Sequence, residues 1–591
     1  MNKERINNVA QHGVLPDLPS TELAPNAWTA GQNIRVSNGS IGSKLGYVEV
    51  FDPPSVAPWW CYPVRSGINY FWAYAGSAKI YATDGNTHSN ITRQQTTNIS
   101  TASVANPTVI TTASAHNLTD GDTVVIANET TATPALNGSH VATVTGASTF
   151  TIPVNVTIAG SDGDVTGDVD YSPDANHGWN GGVLSGVLIA NNGEDQPQAW
   201  VSPALATRMQ NFSDATDWDA TYTCKVIRPY NNYLIALDID KNGTRYPYMV
   251  KWNAPSDPGT INGSWDETDP AVDAGESNLI KGGGYLIDGL SLRDSFIIYR
   301  ETSTWVMNFV GGTFIFDFEE LFESIGLLAP NCAVEYKGLH YIISQGDIIA
   351  HDGHTPKSIA DKKVRKAFFA GVDSSNYQNC FVTLNKKQEE VLFCYPSTGS
   401  TYCDKAWVFG VTDGSWTPRD LPDVYHIQDG IVSETGSTLW STDTENWNED
   451  TTTWNESFYN PTEASLLICG TSDTKLYKDG EGDSNNGTAF TSYVQRTGLQ
   501  IGDYQTVTHV HSIIPKFEAN VGTQITVQVG GQMYPQDSVT WTPAYTFTVG
   551  TDNFIPLRSS GRLTAVKFSS SAAARWKLSS YELVYDEGGM Y

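Results

Sequence analysis

Short runs in which apolar and polar residues alternate fill most of this chain. They include VLSGVLIANN (183–192), NYLIALDIDKNGTRYPYMVKW (232–252), LSLRDSFIIYRETSTWVMNF (290–309) and GLHYIISQGDIIAHDG (338–353). Period-two alternation bounded by Gly, Asn and Asp is the pattern of half-buried strands joined by tight turns. An internal echo runs through it. Ile80-Tyr-Ala-Thr-Asp-Gly85 is followed six residues later by Ile91, and Ile348-Ile-Ala-His-Asp-Gly353 six residues later by Ile359. LYKDG (476–480) and WVFGVTDGSW (407–416) repeat the theme of a β run closed by Asp-Gly, a hairpin signal. A spacing of roughly 40 to 50 residues between such units is that of four-stranded propeller blades. Helical spacing is confined to FEELFESIGL (318–327) and IADKKVRKAFFA (359–370), which are expected to form helices of one to three turns.

Shifts in this pattern divide the chain. Residues 1–50 hold VLPDLPSTELAP, whose Pro16, Pro19 and Pro25 deny ladder donors, and read as an extended arm with the first strands. Residues 51–99 start the propeller body. Residues 100–168 are rich in Thr, Val, Ala and Asn and lack Lys and Arg, the mark of an inserted small β-barrel. The body continues over 169–487, and the alternation of QITVQV and the closing RWKLSSYELVYDEGG make 488–591 a C-terminal β-sandwich. The expected class is therefore all-β: a β-propeller-like body, an inserted barrel and a sandwich.

Composition agrees and narrows function. Seventeen Trp, 28 Tyr and 21 Phe among many Val, Thr and Ile suit pleated surfaces. With 64 Asp and Glu against 35 Lys and Arg, the formal net charge is -29, which argues against gripping nucleic acid through its phosphates. Seven scattered cysteines without CxxC spacing argue against a disulfide framework or a zinc site and for folding in a reducing compartment. The start MNKERINNVAQHGVLPDLPS has no apolar run of signal-peptide length, and no run of about 18 apolar residues occurs, so neither export by that route nor a membrane span is expected.

Asp238-Ile-Asp-Lys-Asn-Gly243 opens like a calcium loop, but Met249 stands at the twelfth position and strands flank it, so a hairpin is expected. Asp162, Asp164, Asp168 and Asp170 form an acidic stretch read as a solvated loop. His509 and His511, two apart on a strand, share a face but lack a third ligand nearby, and Gly282-Gly-Gly284 lacks the Lys-Ser/Thr of a phosphate cradle. AHNLTDGDTVVI (115–126) reads as the turn of the barrel. There Leu118 plugs the interior, Asp120-Gly121-Asp122 turns, Val124 and Ile126 point inward, and His116 is a turn residue without a partner. No nucleophile elbow or HExxH occurs; no catalytic residue, cofactor or metal is expected, and the chain is read as not an enzyme.

Three segments resemble the nozzle or tail tubular B proteins of short-tailed double-stranded DNA bacteriophages. They are GVLPDLPSTELAPNAWTAGQNIRVSNGSIGSKLGY (13–47), NNYLIALDIDKNGTRYPYMVKWNAPSDPGTINGSW (231–265) and DGLSLRDSFIIYRETSTWVMNFVGG (288–312) with SIGLLAPNCAVEYKGLHYIISQGDIIAHDG (324–353). Trp252 and Trp265 stand in the family's tryptophan places, and Asn253 departs from its usual Ser. The ending EGGMY is similar to the family's Gly-rich tail. AHNLTDGDTVVI with PALNGSHVATVTGASTFTI (134–152) resembles the small β-barrel known as the first catalytic-cysteine half-domain of ubiquitin-activating enzymes, which recurs as an insert in phage tail proteins and brings no chemistry of its own.

The resemblance implies a structural protein of the virion tail, made in the host cytoplasm. It implies six copies ringed below portal and adaptor, a channel for genome ejection, and as partners its own copies, the head-to-tail adaptor, fibres or needle, and double-stranded DNA passing without sequence-specific binding. Trp59 and Trp60 in PSVAPWWCYPV are the candidate interface residues: on an extended strand one faces the core and the other a neighbour. A tailspike that binds a receptor or glycan is the nearest alternative, and a cellular propeller scaffold or enzyme the next.

Overall fold

The computed structural model describes residues 2–51, 53–67, 69–174, 178–312, 314–432 and 464–590. The chain is all-β and propeller-like. It divides into two compact units, one of Met1–Pro53, Lys281–Glu434 and Asn460–Tyr591, the other running from Pro54 to Ile280.

Seven four-stranded antiparallel meanders make the blades among the described residues. The second unit holds three, within 60–90, 180–211 and 222–278; the first holds four. Its fourth and fifth blades lie within 286–322 and 333–358. The sixth and seventh are fused, because the 16-residue strand Trp416–Ile431 pairs with Cys403–Gly410 along its first half and with Ala464–Gly470 along its second. The seventh blade takes its fourth strand from the other end of the chain: β5 (Tyr47–Glu49) pairs with Lys475–Asp479.

The echo read from the sequence is a repeated local geometry. In both Ile80–Gly85 and Ile348–Gly353 a third strand ends in an Asp-Gly turn, and the later isoleucine returns to bond the earlier one: Ile91 N to Ile80 O at 2.9 Å, Ile359 N to Ile348 O at 3.0 Å. The Asp84 carboxylate accepts the amides of Asn86 and Thr87, and Asp352 those of His354 and Thr355. Gly85 and Gly353 have φ of 100° and 86°, a left-handed conformation that glycine adopts without a Cβ clash. At LYKDG the same bond to Leu476 O comes from Val50 N, so the N-terminal strand completes the third copy.

The inserted barrel is a seven-stranded sheet running from Gln94 to Asp168. It begins at Gln94, before residue 100, because Gln94–Asn98 pair with Asp164–Asp168. Ile110, Leu118, Val124, Ile126, Leu136, Phe150, Ile152 and Val165 fill it. The sandwich draws on both ends of the chain. β1 (Asn2–Ile6) and β4 (Ser40–Ser43) pair with the last strand, Trp576–Met590, and β2 (Ala30–Gln32) pairs with Ser492–Leu499, while β3 (Ile34–Ser37) pairs with β4. Trp28 sits in its core against Phe568 and Tyr581, ring centroids 6.2 Å away from each, with its indole N–H on Val9 O at 2.6 Å. The residues read as an arm are thus built into the sandwich and the seventh blade. The Gly-rich ending is part of the last strand as far as Met590; Tyr591 lies outside the described residues.

Two helix expectations change. FEELFESIGL is not helical: Phe316–Phe322 is a strand whose Phe318 and Glu319 lie opposite Met307 and Val306, and the ladder with Thr304–Phe309 outweighs the helical propensity of its Glu and Leu. In IADKKVRKAFFA only the second half is helical, α2 (Arg365–Gly371), after a short α1 (Phe212–Ala215) that sequence spacing does not mark. No described helix is long and apolar enough to cross a membrane.

Candidate functional site

Trp59 and Trp60 begin the first blade. Trp60 is buried and stacks on Tyr62 with centroids 5.7 Å apart, while Trp59 is half-buried and packs on the same cluster, its amide bonded to Ala75 O at 2.7 Å. Both indoles therefore contribute to a core shared by the first and second blades, and Trp59 keeps a partly open edge.

The barrel is fastened to this blade through charges. Lys79, in the turn before Ile80, places its ammonium 2.6 Å from Asp122 Oδ1, 3.3 Å from Asp170 Oδ1 and 3.9 Å from Asp168 Oδ2. Burial opposes the charge, but the bond to Asp122 and the fields of Asp170 and Asp168 outweigh it and hold the lysine above its ordinary pKa. Arg208 adds a second cation at 3.4 Å from Asp168. Asp122 belongs to the Asp120-Gly121-Asp122 turn, so the turn of the opening barrel motif is also the docking point of the barrel.

Other candidate residues find separate structural partners. Asp162 accepts the hydroxyls of Thr130 and Thr131, and Asp164 accepts the Asn128 amide, so the four carboxylates of the acidic stretch do not converge. Asp238 is buried and bound to Arg245, with Nε at 2.8 Å, in a hairpin whose Asn242 and Gly243 both have positive φ. His509 bonds Ser560 Oγ at 2.8 Å and His511 bonds Asp586 Oδ2 at 2.9 Å. His116 is not the unpartnered turn residue expected: it is buried, its Nδ1 accepts the Leu118 amide at 3.1 Å, and its ring meets Phe150 edge-on. Asn253 accepts the Leu234 amide at 2.6 Å and Trp265 packs edge-on against Trp218 at 4.7 Å. Gly282-Gly-Gly284 does form a cradle, but an inverted one. The carbonyls of Lys281 and Gly284 point inward and hold the buried Arg300 guanidinium, so the segment receives a cation.

Sequence reasoning missed a buried junction between the fourth and fifth blades. The Tyr299 hydroxyl lies 2.7 Å from His340 Nδ1 and 2.6 Å from His351 Nε2, and His340 Nε2 donates to Ser291 O at 2.9 Å. Burial lowers His340 to about 4. Burial and the neighbouring His340 lower His351 to about 3, so both rings are neutral at pH 7. Only the position of His351 in the echo, where the first copy has Thr83, marks it in the sequence.

One surface stands apart. The hairpin joining Thr304–Phe309 to Phe316–Phe322 carries Phe309, Val310 and Phe314 at 54%, 56% and 78% exposure around Gly311 and Gly312, both at positive φ. Three large exposed apolar side chains stand at one tip of a chain this acidic, the kind of patch that marks an interaction surface.

No protein-family model matches the chain, and no curated protein matches it. Solved structures match at low similarity. Hsv2 of Kluyveromyces lactis is 11% identical over 62% of this chain and 95% of its own, with a TM-score of 0.27; another structure of that protein matches 40% of this chain and 59% of its own. An exo-β-1,3-galactanase of Phanerochaete chrysosporium is 8% identical over 71% and 97%, with a TM-score of 0.20. The endosialidase of phage phi92 is 11% identical over 57% and 52%, with a TM-score of 0.19.

Proposed function

We propose that this chain is a structural subunit of a bacteriophage tail, a nozzle protein whose copies close into a ring below portal and adaptor and leave a channel for the genome. The observation that supports this most is the order of modules. A propeller-like body, interrupted by a barrel after its first blade, is followed by a terminal sandwich, and a propeller-like body with a C-terminal sandwich is what the resemblance implies. A net charge of -29 suits a conduit that lets a polyanion slide without adhering. The apolar tip at Phe309, Val310 and Phe314 offers copies a contact that does not depend on like-charged surfaces meeting.

Native mass and negative-stain symmetry of the purified full chain test the reading. Sixfold rings are expected; threefold spikes would replace it with the tailspike alternative, and a monomer at every concentration with the cellular propeller. Phe314→Ser is expected to leave the melting temperature of the chain unchanged and to weaken ring formation at least tenfold in concentration.

A further inference from the structure

We infer that the N-terminal segment, residues 2–49, is an exchangeable docking element whose partner is a second copy of this chain: one copy's strands occupy the seventh blade and sandwich of the next. The inference rests on the self-assembly proposed above and deepens it.

The segment is separable by construction. Of its five strands, β1, β2, β4 and β5 pair with strands that begin at Lys475 or later, and β3 pairs only with β4. Its anchors come partly from that same region and partly from earlier in the chain, where Val14 N bonds Trp416 O and Asn33 N bonds Pro418 O. Arg496 donates to the carbonyls of Ser20 and Leu23, Phe568 and Tyr581 enclose Trp28, and Asp420 accepts the side-chain amides of Gln32 and Asn33. Residues 50–59 alone join the segment covalently to the first blade, a stretch holding Pro53, Pro54 and Pro58, and the two compact units divide between Pro53 and Pro54. Within it Phe51 sits at φ 60°, a left-handed conformation that is an outlier for a bulky residue. Val50 N bonds Leu476 O and Trp59 N bonds Ala75 O, so the length between these fixed ends is residues 51–58, which extended reach about 26 Å, and straightening it removes the strain at Phe51.

Charge supplies a second attraction between copies, beside the apolar tip. By formal charge Lys3, Arg5, Arg35 and Lys44 balance Glu4, Asp17, Glu22 and Glu49, so the rest of the chain carries the whole formal net charge, although burial lowers Lys44 to about 7. Its cations meet carboxylates of the seat: Arg35 Nε lies 2.6 Å from the buried Glu390, and Arg5 Nε lies 3.7 Å from Glu582. In the other direction Glu49 receives Lys475 at 2.6 Å. Exchange remakes every one of these contacts in the neighbour, so its free energy is set by the linker and by local concentration, the conditions under which identical elements swap.

Register pairs make the test direct. Val48 lies opposite Lys478, and Arg5 opposite Glu582. Full-length chains carrying Val48→Cys are co-expressed with chains carrying Lys478→Cys, the assembly is oxidised, and the products are run unfolded on a non-reducing gel beside their native mass. A reducible covalent dimer of the two variants is expected, with a ladder of higher multimers when one chain carries both changes. The pair Arg5→Cys and Glu582→Cys, at a separate sheet, is expected to give the same pattern. Multimers by native mass whose double variants show only bonds within single chains would overturn the exchange and leave the nozzle reading standing. Monomers by native mass with bonds only within chains would overturn both.

Discussion

The Lys79 clamp and the Tyr299 junction do the same task in two parts of the molecule with opposite chemistry. Between barrel and first blade the fastener is Lys79 among Asp122, Asp168 and Asp170, with Arg208 beside Asp168, in a setting where Lys79 keeps 21% of its side chain exposed. Between the fourth and fifth blades it is a phenol shared by two neutral imidazoles, all three buried. Water decides the difference. A partly solvated lysine among three carboxylates can stay charged because its desolvation is incomplete and the carboxylates offset the rest, whereas a charge sealed in the interior costs more than a hydrogen bond returns, so the buried junction holds its histidines unprotonated. Each fastener should then fail to a different agent: the buried one to deletion of a partner or to acid, the clamp to salt.

Deletion at the buried junction should have the largest effect. Tyr299→Phe preserves volume but leaves His340 Nδ1 and His351 Nε2 without their partner, and orphaning two buried polar atoms is expected to destabilise the first unit by about 2–4 kcal/mol in urea unfolding followed by tryptophan fluorescence. Acid should weaken the same joint. Above pH 6.5 the histidines are neutral both folded and unfolded and contribute no slope. As pH falls below 6.5 the unfolded chain takes up protons that the folded chain refuses until about 4 at His340 and about 3 at His351. Stability is therefore expected to fall toward low pH by roughly 1 kcal/mol per pH unit for each histidine. A melting curve series from pH 7 to 4 that is flat in the wild type would break the contrast.

The clamp should respond less and differently. Lys79→Met keeps the aliphatic stem and removes the charge, and the carboxylates retain other donors: Asp122 holds the Thr119 amide, and Asp168 the side-chain amides of Asn90 and Gln94. A loss of about 1 kcal/mol is expected, read as faster hydrogen exchange in the strands that border the barrel's attachment. Raising salt from about 0.05 to 0.5 M should bring the wild type toward the variant while leaving the Tyr299 junction unmoved, because screening acts on exposed charges and not on buried neutral bonds.

The sequence displays the local half of this architecture and hides the rest for a physical reason. Alternation and Asp-Gly turns reveal blades and barrel because a hairpin's partner is its sequence neighbour, and Leu118, Val124 and Ile126 announce their inward face by period alone. β5 is three residues long and its partner lies more than 400 residues away, so nothing in YVE signals a pairing with KLYKD. Pro418 and Pro422 look like breakers in the strand that serves two blades. The acidic run of Phe316–Phe322 has helix propensity that only the opposing Thr304–Phe309 overrules. Lys79 and Tyr299 carry no motif, since their partners are assembled by tertiary folding. His340 and His351 lie opposite each other in one ladder, yet a strand histidine with an unseen tyrosine reads like any other.

The smallest effect isolates what the two regions share. Asp84 and Asp352 each accept two backbone amides in the turn of the repeated motif, at 2.8–3.0 Å, and both side chains are outside the core. Asp84→Ala and Asp352→Ala should therefore cost the same, about 0.5–1 kcal/mol each, because the lost bonds are local and water can replace them. The residue before them is where the copies diverge: Thr83 Oγ1 and His351 Nδ1 both accept the amide of the following glycine, at 3.1 and 3.2 Å, but only His351 also reaches across to another blade. His351→Thr should accordingly keep the turn and lose the junction, with a cost close to that of Tyr299→Phe and no further loss when the two are combined. Additive costs in that double variant would show that the imidazole and the phenol stabilise the blades independently, and the contrast between a local turn and a shared buried joint would fall.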